Sequence, residues 1–526
     1  MKLIHLIICV TAFGSLIASA ESVRPNILYI MSDDHAAPAV GAYSGALAEL
    51  NPTPNIDRLA AEGLLFENAF CNNSICTPSR ASILTGQYPQ TNGVLDLDDA
   101  LDVTKQYLPM EMKQLGYTTA MIGKWHLKNE PVAFDYYKVL PGQGLYFDPT
   151  FREKGKGQWP KNIVNSKGHS SDVITDITID YLKHLDRAKP FFIMHHYKAP
   201  HDDFEYAPRY ASYLADVKVP EPETLFNSEG FGSIATRGEA DTLRTVIGTS
   251  VSNRHEKRNY VKNYVDDPAL STSKATSLSY QTYLKDYLRC VKGIDDNLGR
   301  LFDALKAEGL WENTIIIYTG DQGFMLGAHD LIDKRWMYEE SMRMPFIVRD
   351  PRSGVSGERT DLLINNTDFA PTMIDLAGGK VPEYMQGRSF ENTLKGLPET
   401  NWRTSTYYRY WMHMIHHWVP AHFGIRTKEH KLIFYYSRNY RPELEFKDFY
   451  WGNAKSEYAG YLGPTPVAWE FYDLKNDPQE TTNQYANPEY AAIIEGLKKD
   501  LHKQREALNE TDELYPEIQQ VIKLNP

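Results

Sequence analysis

Only four cysteines occur in 526 residues, Cys9, Cys71, Cys76 and Cys290, too few for a disulfide framework in an exported chain of this size. Stability must come from a packed core. The five-residue spacing of Cys71 and Cys76 is not the Cys-x-x-Cys of thiol oxidoreductases, which ranks a redox pair well below modification of Cys76. Positive charge is also in deficit: 56 Lys and Arg stand against 68 Asp and Glu, a net charge of −12. A protein that coats nucleic acid or another polyanion over its whole surface is thereby excluded, and an anionic substrate must meet a local basic pocket. Beyond residue 20 no apolar run approaches the length of a membrane span. The one apolar stretch begins at Leu3 after Lys2 and ends at Ala18-Ser19-Ala20, the pattern of a cleavable export signal, and it takes Cys9 with it. The chain is expected to work outside the cytoplasm, in a periplasm or the extracellular space, or in a lysosome if the source is eukaryotic. Internal repeats and low-complexity tracts are absent.

What is present is an ordinary folded composition, 42% hydrophobic and 24% charged, in a chain too long for one small core. The first four hundred residues alternate short apolar runs, polar clusters and amphipathic stretches, which predicts an α/β domain with a large, mostly parallel sheet flanked by helices. Strands are expected at 26–31, 118–122, 191–194, 314–318 and 345–348, and helices at 56–63 and 367–377. From about residue 401 aromatic, alternating stretches such as 432–436 predict a small antiparallel sheet with a late helix at 490–509. The division is a signal at 1–20, an α/β catalytic domain at 21–400 and a C-terminal α+β subdomain at 401–526. Residues 207–277, rich in charge, Ser, Thr and Pro, interrupt the rhythm as an insertion.

Four of the apolar strands end in ionisable groups: Asp33-Asp34-His35, Gly123-Lys124-Trp125-His126, His195-His196-Tyr197-Lys198-Ala199-Pro200-His201 and Asp321-Gln322-Gly323. In open α/β sheets that edge binds ligands. Asp33, Asp34, Asp321 and Gln322 offer hard oxygen donors from two strand ends, a set suited to Ca²⁺, or to Mg²⁺ if waters complete an octahedron. Zinc would call for more His or Cys. Taken singly, each pair reads better as a turn or cap; that both end expected sheet strands favours the metal site. In the run Cys76-Thr77-Pro78-Ser79-Arg80, Thr77 reads as an N-cap, Pro78 as the first helical residue and Gly86 as the stop, with Arg80 one turn beyond Cys76. A helix N-terminus beside a guanidinium suits a tetrahedral oxyanion. Alone, the run is equally a buried thiol before a capped helix.

Together these runs resemble the signatures of type I sulfatases, and the resemblance spans nearly the whole chain. It implies an alkaline-phosphatase-like fold and oxidation of Cys76 to formylglycine by a formylglycine-generating enzyme, the hydrated aldehyde then serving as nucleophile. It implies that Asp33, Asp34, Asp321 and Gln322 hold a divalent metal together with an oxygen of residue 76; Gln322 stands where Asn or His is common. Arg80, Lys124 and Lys334 would counter the charge on the transferring group, His201 or Lys334 would protonate the departing alcohol, and His126 would help release sulfate. His329 belongs to the same pattern, Lys198 lines the pocket, and His195 and His196 are read as core or supporting residues.

The tract Asp333-Lys334-Arg335-Trp336-Met337-Tyr338-Glu339-Glu340 and the ending Phe471-Tyr472-Asp473-Leu474-Lys475-Asn476-Asp477-Pro478 look like those of carbohydrate sulfatases such as N-acetylglucosamine-6-sulfatase and iduronate-2-sulfatase. A sulfated oligosaccharide or polysaccharide is therefore the expected partner. Between them Arg409, His416 and His417 lie in an aromatic segment suited to pack on sugar rings and pair with anions, and are candidates for substrate selection. The same segment reads equally as a β core with incidental histidines. Two rivals stay open: a phosphonate monoester or phosphodiester hydrolase sharing the Cys-x-Pro-x-Arg run, and a non-catalytic glycan-binding homologue with Cys76 unmodified.

Overall fold

The computed structural model describes residues 24–227, 229–243, 249–252, 261, 264–415, 417–441 and 464–526. The expected export signal, residues 1–20, lies outside them.

The large sheet is built from β1 (Asn26–Asp33), β2 (Leu64–Phe66), β4 (Thr118–Lys124), β5 (Tyr136–Leu140), β6 (Thr150–Glu153), β7 (Ile163–Asn165), β8 (Phe191–Pro200), β9 (Thr314–Gly320), β10 (Phe346–Arg349) and β11 (Glu358–Thr360). Its order is β11-β2-β10-β9-β1-β8-β4-β5-β6-β7. The centre is parallel, β1 pairing with both β8 and β9 and β4 with β8 and β5. Toward the edges β10 runs antiparallel to β9 and to β2, and β6 is antiparallel to β5 and to β7. β3 (Ala69–Phe70) and β12 (Ile364–Asn365) form a short parallel pair. The central strands are apolar on both faces because helices cover both, the usual condition of parallel strands. One face packs in a core with Ile27, Tyr29 and Met31, the other with Leu28 and Ile30.

Two departures from the sequence reading matter for the site. β8 runs on from residue 194 to Pro200, so His195, His196 and Lys198 are strand residues, all buried. The 36-residue helix Thr272–Ala307, which the polar run had hidden, begins inside the segment read as an insertion and buries a face including Tyr280, Tyr287 and Leu298. β13 (Ser405–Tyr410), β14 (His422–Thr427), β15 (His430–Tyr435) and β16 (Ala468–Asp473) form the small antiparallel sheet, with the helix Ala491–Ala507 against it. Arg426 and Lys431 of that sheet share a buried ion-pair network with Glu339 and Glu480, at 3.0, 2.9 and 2.7 Å. The C-terminal sheet is thus pinned to the segment that follows Lys334. Among the described residues no helix is long and apolar enough to cross a membrane.

Candidate active site

The carboxyl ends of β1, β4, β8 and β9 converge on one buried point. Asp33 ends β1, and Asp34 turns out of it with φ 63°, where its N–H donates to Asp321 Oδ1 at 3.1 Å. The left-handed turn aims both carboxylates at the end of β9. One oxygen from each of Asp33, Asp34 and Asp321 lies within 4.8 Å of the others, and all three residues are buried.

Three cations counter this charge. Arg80 Nη2 reaches Asp33 at 3.3 Å and Asp321 at 2.9 Å; Lys124 Nζ contacts Asp33; Lys334 Nζ lies on both oxygens of Asp34. Burial works against ionisation of Asp33, yet Lys124, Arg80 and Lys334 hold it well below the usual carboxylate range. The other two stay short of compensation. Burial pushes Asp34 well above its ordinary value, Lys334 offsetting only part of that while Asp33 and Asp321 add to it. Burial and Asp33 lift Asp321 to about 7. Gln322 donates Nε2 to Asp34, while its Oε1 is buried without a partner. Two carboxylates reluctant to ionise and an orphaned amide oxygen, all hard donors, are what a bound divalent cation would relieve. The residues present fit such an ion.

Cys76 is the first residue of the helix Cys76–Thr85, which is buried along its whole length. The N-cap is Ile75, in extended conformation, and not Thr77 as the sequence suggested. Thr77 instead spends its hydroxyl across the site, 3.3 Å from His126 Nδ1 and 3.2 Å from the His126 carbonyl. Gly86 does close the helix, at φ 65°. Cys76 lies within electrostatic reach of Arg80, Asp321 and Lys334. Arg80 is further held by the Lys124 carbonyl at 2.7 Å, which also engages His196 Nδ1 at 3.1 Å. Gly123 permits this arrangement: its φ is +99°, and a Cβ there would fall 1.9 Å from the His196 carbonyl.

His201 Nδ1 donates to the Asp202 carbonyl at 2.8 Å and meets the Asp202 carboxylate at 2.6 Å. That leaves Nε2 facing the site, 3.9 Å from Asp34 Oδ2. Burial, with Lys334 and Lys124 close by, lowers its pKa to about 3, and burial and Lys124 hold His126 well below its ordinary value. Lys198 packs its ammonium 4.5 Å over the Tyr146 ring and donates to the Asp202 carbonyl at 3.4 Å. Two groups escaped the sequence reading. Asp202, directly after His201, was open to inspection as its partner; Gln143, whose Oε1 accepts from Lys124, carried no signal.

The substrate-selection candidates fare differently. Arg409 is not at the cleft: 1% exposed, it pairs with Glu510 and, at 2.9 Å, with Asp512, and lies 3.5 Å over the Trp411 ring. Its charge is consumed inside the C-terminal subdomain. Arg409→Ala is accordingly expected to destabilise the fold by about 3–5 kcal/mol, by leaving buried carboxylates unpaired, without changing the ratio of activities on a glycan and on a small aryl sulfate. Thermal melting and paired kinetics check this; a selective loss on the glycan would contradict it. His416 lies outside the described residues. His417 is buried against Asp333, with Nδ1 2.7 Å from its carboxylate.

Comparison with known proteins places this geometry. The model of the family described as Sulfatase matches residues 25–379, and that of the N-sulphoglucosamine sulphohydrolase C-terminal region matches residues 327–449. An N-acetylglucosamine-6-O-sulfatase of Bacteroides thetaiotaomicron is 37% identical over 94% of this chain and 88% of its own. A solved structure described as a complex with its substrate D-glucosamine-2-N,6-O-disulfate aligns with TM-score 0.78 and 34% identity over 93% of this chain and 99% of that one. A phosphonate monoester hydrolase of Agrobacterium radiobacter, at 21% identity over 92% of this chain and 96% of its own, has TM-score 0.68, a likeness of fold.

Proposed function

Because the chain belongs to the sulfatase family and is a sulfuric ester hydrolase, we propose that it removes a sulfate ester from O6 of a glucosamine-type sugar in a sulfated oligosaccharide. The observation that supports the chemistry is the meeting of three carboxylates with the cations of Arg80, Lys124 and Lys334 at one buried point, within electrostatic reach of Cys76. The observation that supports the sugar is the near full-length likeness to an N-acetylglucosamine-6-O-sulfatase and to a structure bound to glucosamine-2-N,6-O-disulfate.

In this reading Cys76 is oxidised to formylglycine during export by a formylglycine-generating enzyme. Asp33, Asp34, Asp321 and Gln322 would hold a divalent cation, Ca²⁺ by the all-oxygen donor set, which would supply Lewis-acid stabilisation to the reacting anion. The positive end of the helix Cys76–Thr85 and the Arg80 guanidinium face the incoming anion. Lys124 and Lys334 grip the sulfuryl oxygens, countering charge where it develops in the transition state. Lys334 keeps its proton although burial works against it, because Asp34 favours the ammonium. His201, its Nδ1 steadied by Asp202, takes up a proton from solvent at Nε2 and gives it to the departing sugar oxygen as the S–O bond to the sugar breaks. His126, oriented by Thr77, is the base for the second half of the cycle.

Sulfate release from a panel tests the proposal. Glucosamines carrying 6-O-sulfate are expected to react with kcat/KM at least about a hundredfold above 2-O-sulfated uronic acids or an aryl phosphodiester, the discrimination a hydrogen-bonding site can supply. Preference for the phosphodiester, or for the uronic acid, would overturn it.

A further inference from the structure

Lys334 stands on a tract without regular structure of its own. Ala328–Asp330 is a single 3₁₀ turn and the next helical turn begins at Glu339, while His329, Asp330 and Arg335 take φ of 54°, 65° and 87°. A segment carrying so many left-handed residues holds one conformation only when its surroundings impose it. Two distant parts of the chain do so. From the insertion, Ser250 bridges Leu331 in antiparallel fashion, Val251 N–H donates to the Asp330 carbonyl at 3.0 Å, and Ile332 N–H donates to the Thr249 carbonyl at 3.0 Å. From the connection between β13 and β14, His417 Nδ1 lies 2.7 Å from Asp333 Oδ2 and 2.7 Å from Thr249 Oγ1. Asp333 also accepts from Arg335. Consecutive residues are therefore tied to different partners, Asp333 to His417 and Lys334 to Asp34, with Asp333, Lys334, Arg335 and His417 all buried.

We propose that His417 is a positioning residue for the reaction: through Asp333 it holds Lys334 at the sulfate, so that the insertion and the C-terminal subdomain jointly place one of the cations of the site. This rests on the sulfatase reading above, in which Lys334 grips the transferring group. It replaces the expectation that His417 reads the sugar. A residue that reads the sugar matters only when a sugar is there; one that places Lys334 matters for every sulfate ester. Displacement of a catalytic group by about 1 Å costs as much as a hundredfold in rate.

The test is paired kinetics of His417→Ala on a 6-O-sulfated glucosamine and on an aryl sulfate, with thermal melting of the same samples. The expected result is a fall in kcat of about ten- to a hundredfold on both substrates, their ratio unchanged within about twofold. His417→Asn, which returns an amide N–H near the position of Nδ1, is expected to recover most of the loss. A loss confined to the glucosamine, or no loss in a folded variant, overturns the proposal. If His417→Ala does not fold, Thr249→Val decides, since it removes only the hydroxyl beside Nδ1: a several-fold loss on both substrates supports positioning and no loss on either overturns it. Failure of the underlying reading looks different, because the wild type would then release sulfate from neither ester.

Discussion

Cys76→Ala is expected to lower kcat for sulfate release by a factor on the order of 10⁵ or more, the scale at which removal of a catalytic nucleophile is felt. The fold should survive. Cys76 is 1% exposed, and cutting its side chain back to Cβ leaves a cavity no larger than one sulfur atom, a cost of about 1–2 kcal/mol. Cys76→Ser should be nearly as inactive in steady turnover, since a lone hydroxyl accepts the sulfuryl group and has no second hydroxyl with which to expel it. The wild-type sequence should behave in the same way when made by a host without the maturation enzyme. Peptide mass is the independent readout: the active protein is expected to carry a residue 76 about 18 Da lighter than cysteine. Full activity from protein whose Cys76 is intact would sink the assignment.

The candidate site could be proposed from sequence because its residues stand where apolar strands stop. Asp33-Asp34, Lys124, His201 and Asp321-Gln322 each follow a hydrophobic run, and a parallel sheet aligns those ends without further information. What stayed hidden depends on contacts between distant segments. Thr77 has the chemistry of an N-cap, but its hydroxyl is claimed by His126, leaving Ile75 to open the helix. Residues 195–198 look polar enough for a loop, and only pairing between β1 and β4 buries them as strand. The antiparallel direction of β10 leaves no mark in its composition. Arg409 among tyrosines is what a sugar platform looks like; its partners Glu510 and Asp512 lie about a hundred residues downstream. A buried Arg cluster and a ligand-reading Arg differ by where the counter-charges fold, which local pattern does not state.

Chelation of divalent cations is expected to lower turnover at least about a thousandfold, restored by Ca²⁺, because three carboxylates would otherwise face the sulfate with only the protein's own cations against them. Activity is not the only readout. Without the ion Asp321 has its pKa near 7, against an ordinary carboxylate near 3.8. Between those values the folded protein binds a proton that the unfolded chain has released, so stability of the stripped protein falls as pH rises through that window, by at most about 1.4 kcal/mol per pH unit. A bound cation favours the ionised carboxylate and expels the proton. Three results follow from the same charges. Titrating Ca²⁺ into stripped protein at pH 6 should release protons; the gain in melting temperature on adding the ion should be larger at pH 8 than at pH 5.5; and Asp321→Asn should flatten that pH dependence while weakening the ion's effect. A melting temperature and a rate both indifferent to chelation would remove the cation from Asp33, Asp34, Asp321 and Gln322. The site would then have to balance its carboxylates with protons alone, which leaves the orphaned oxygen of Gln322 unexplained.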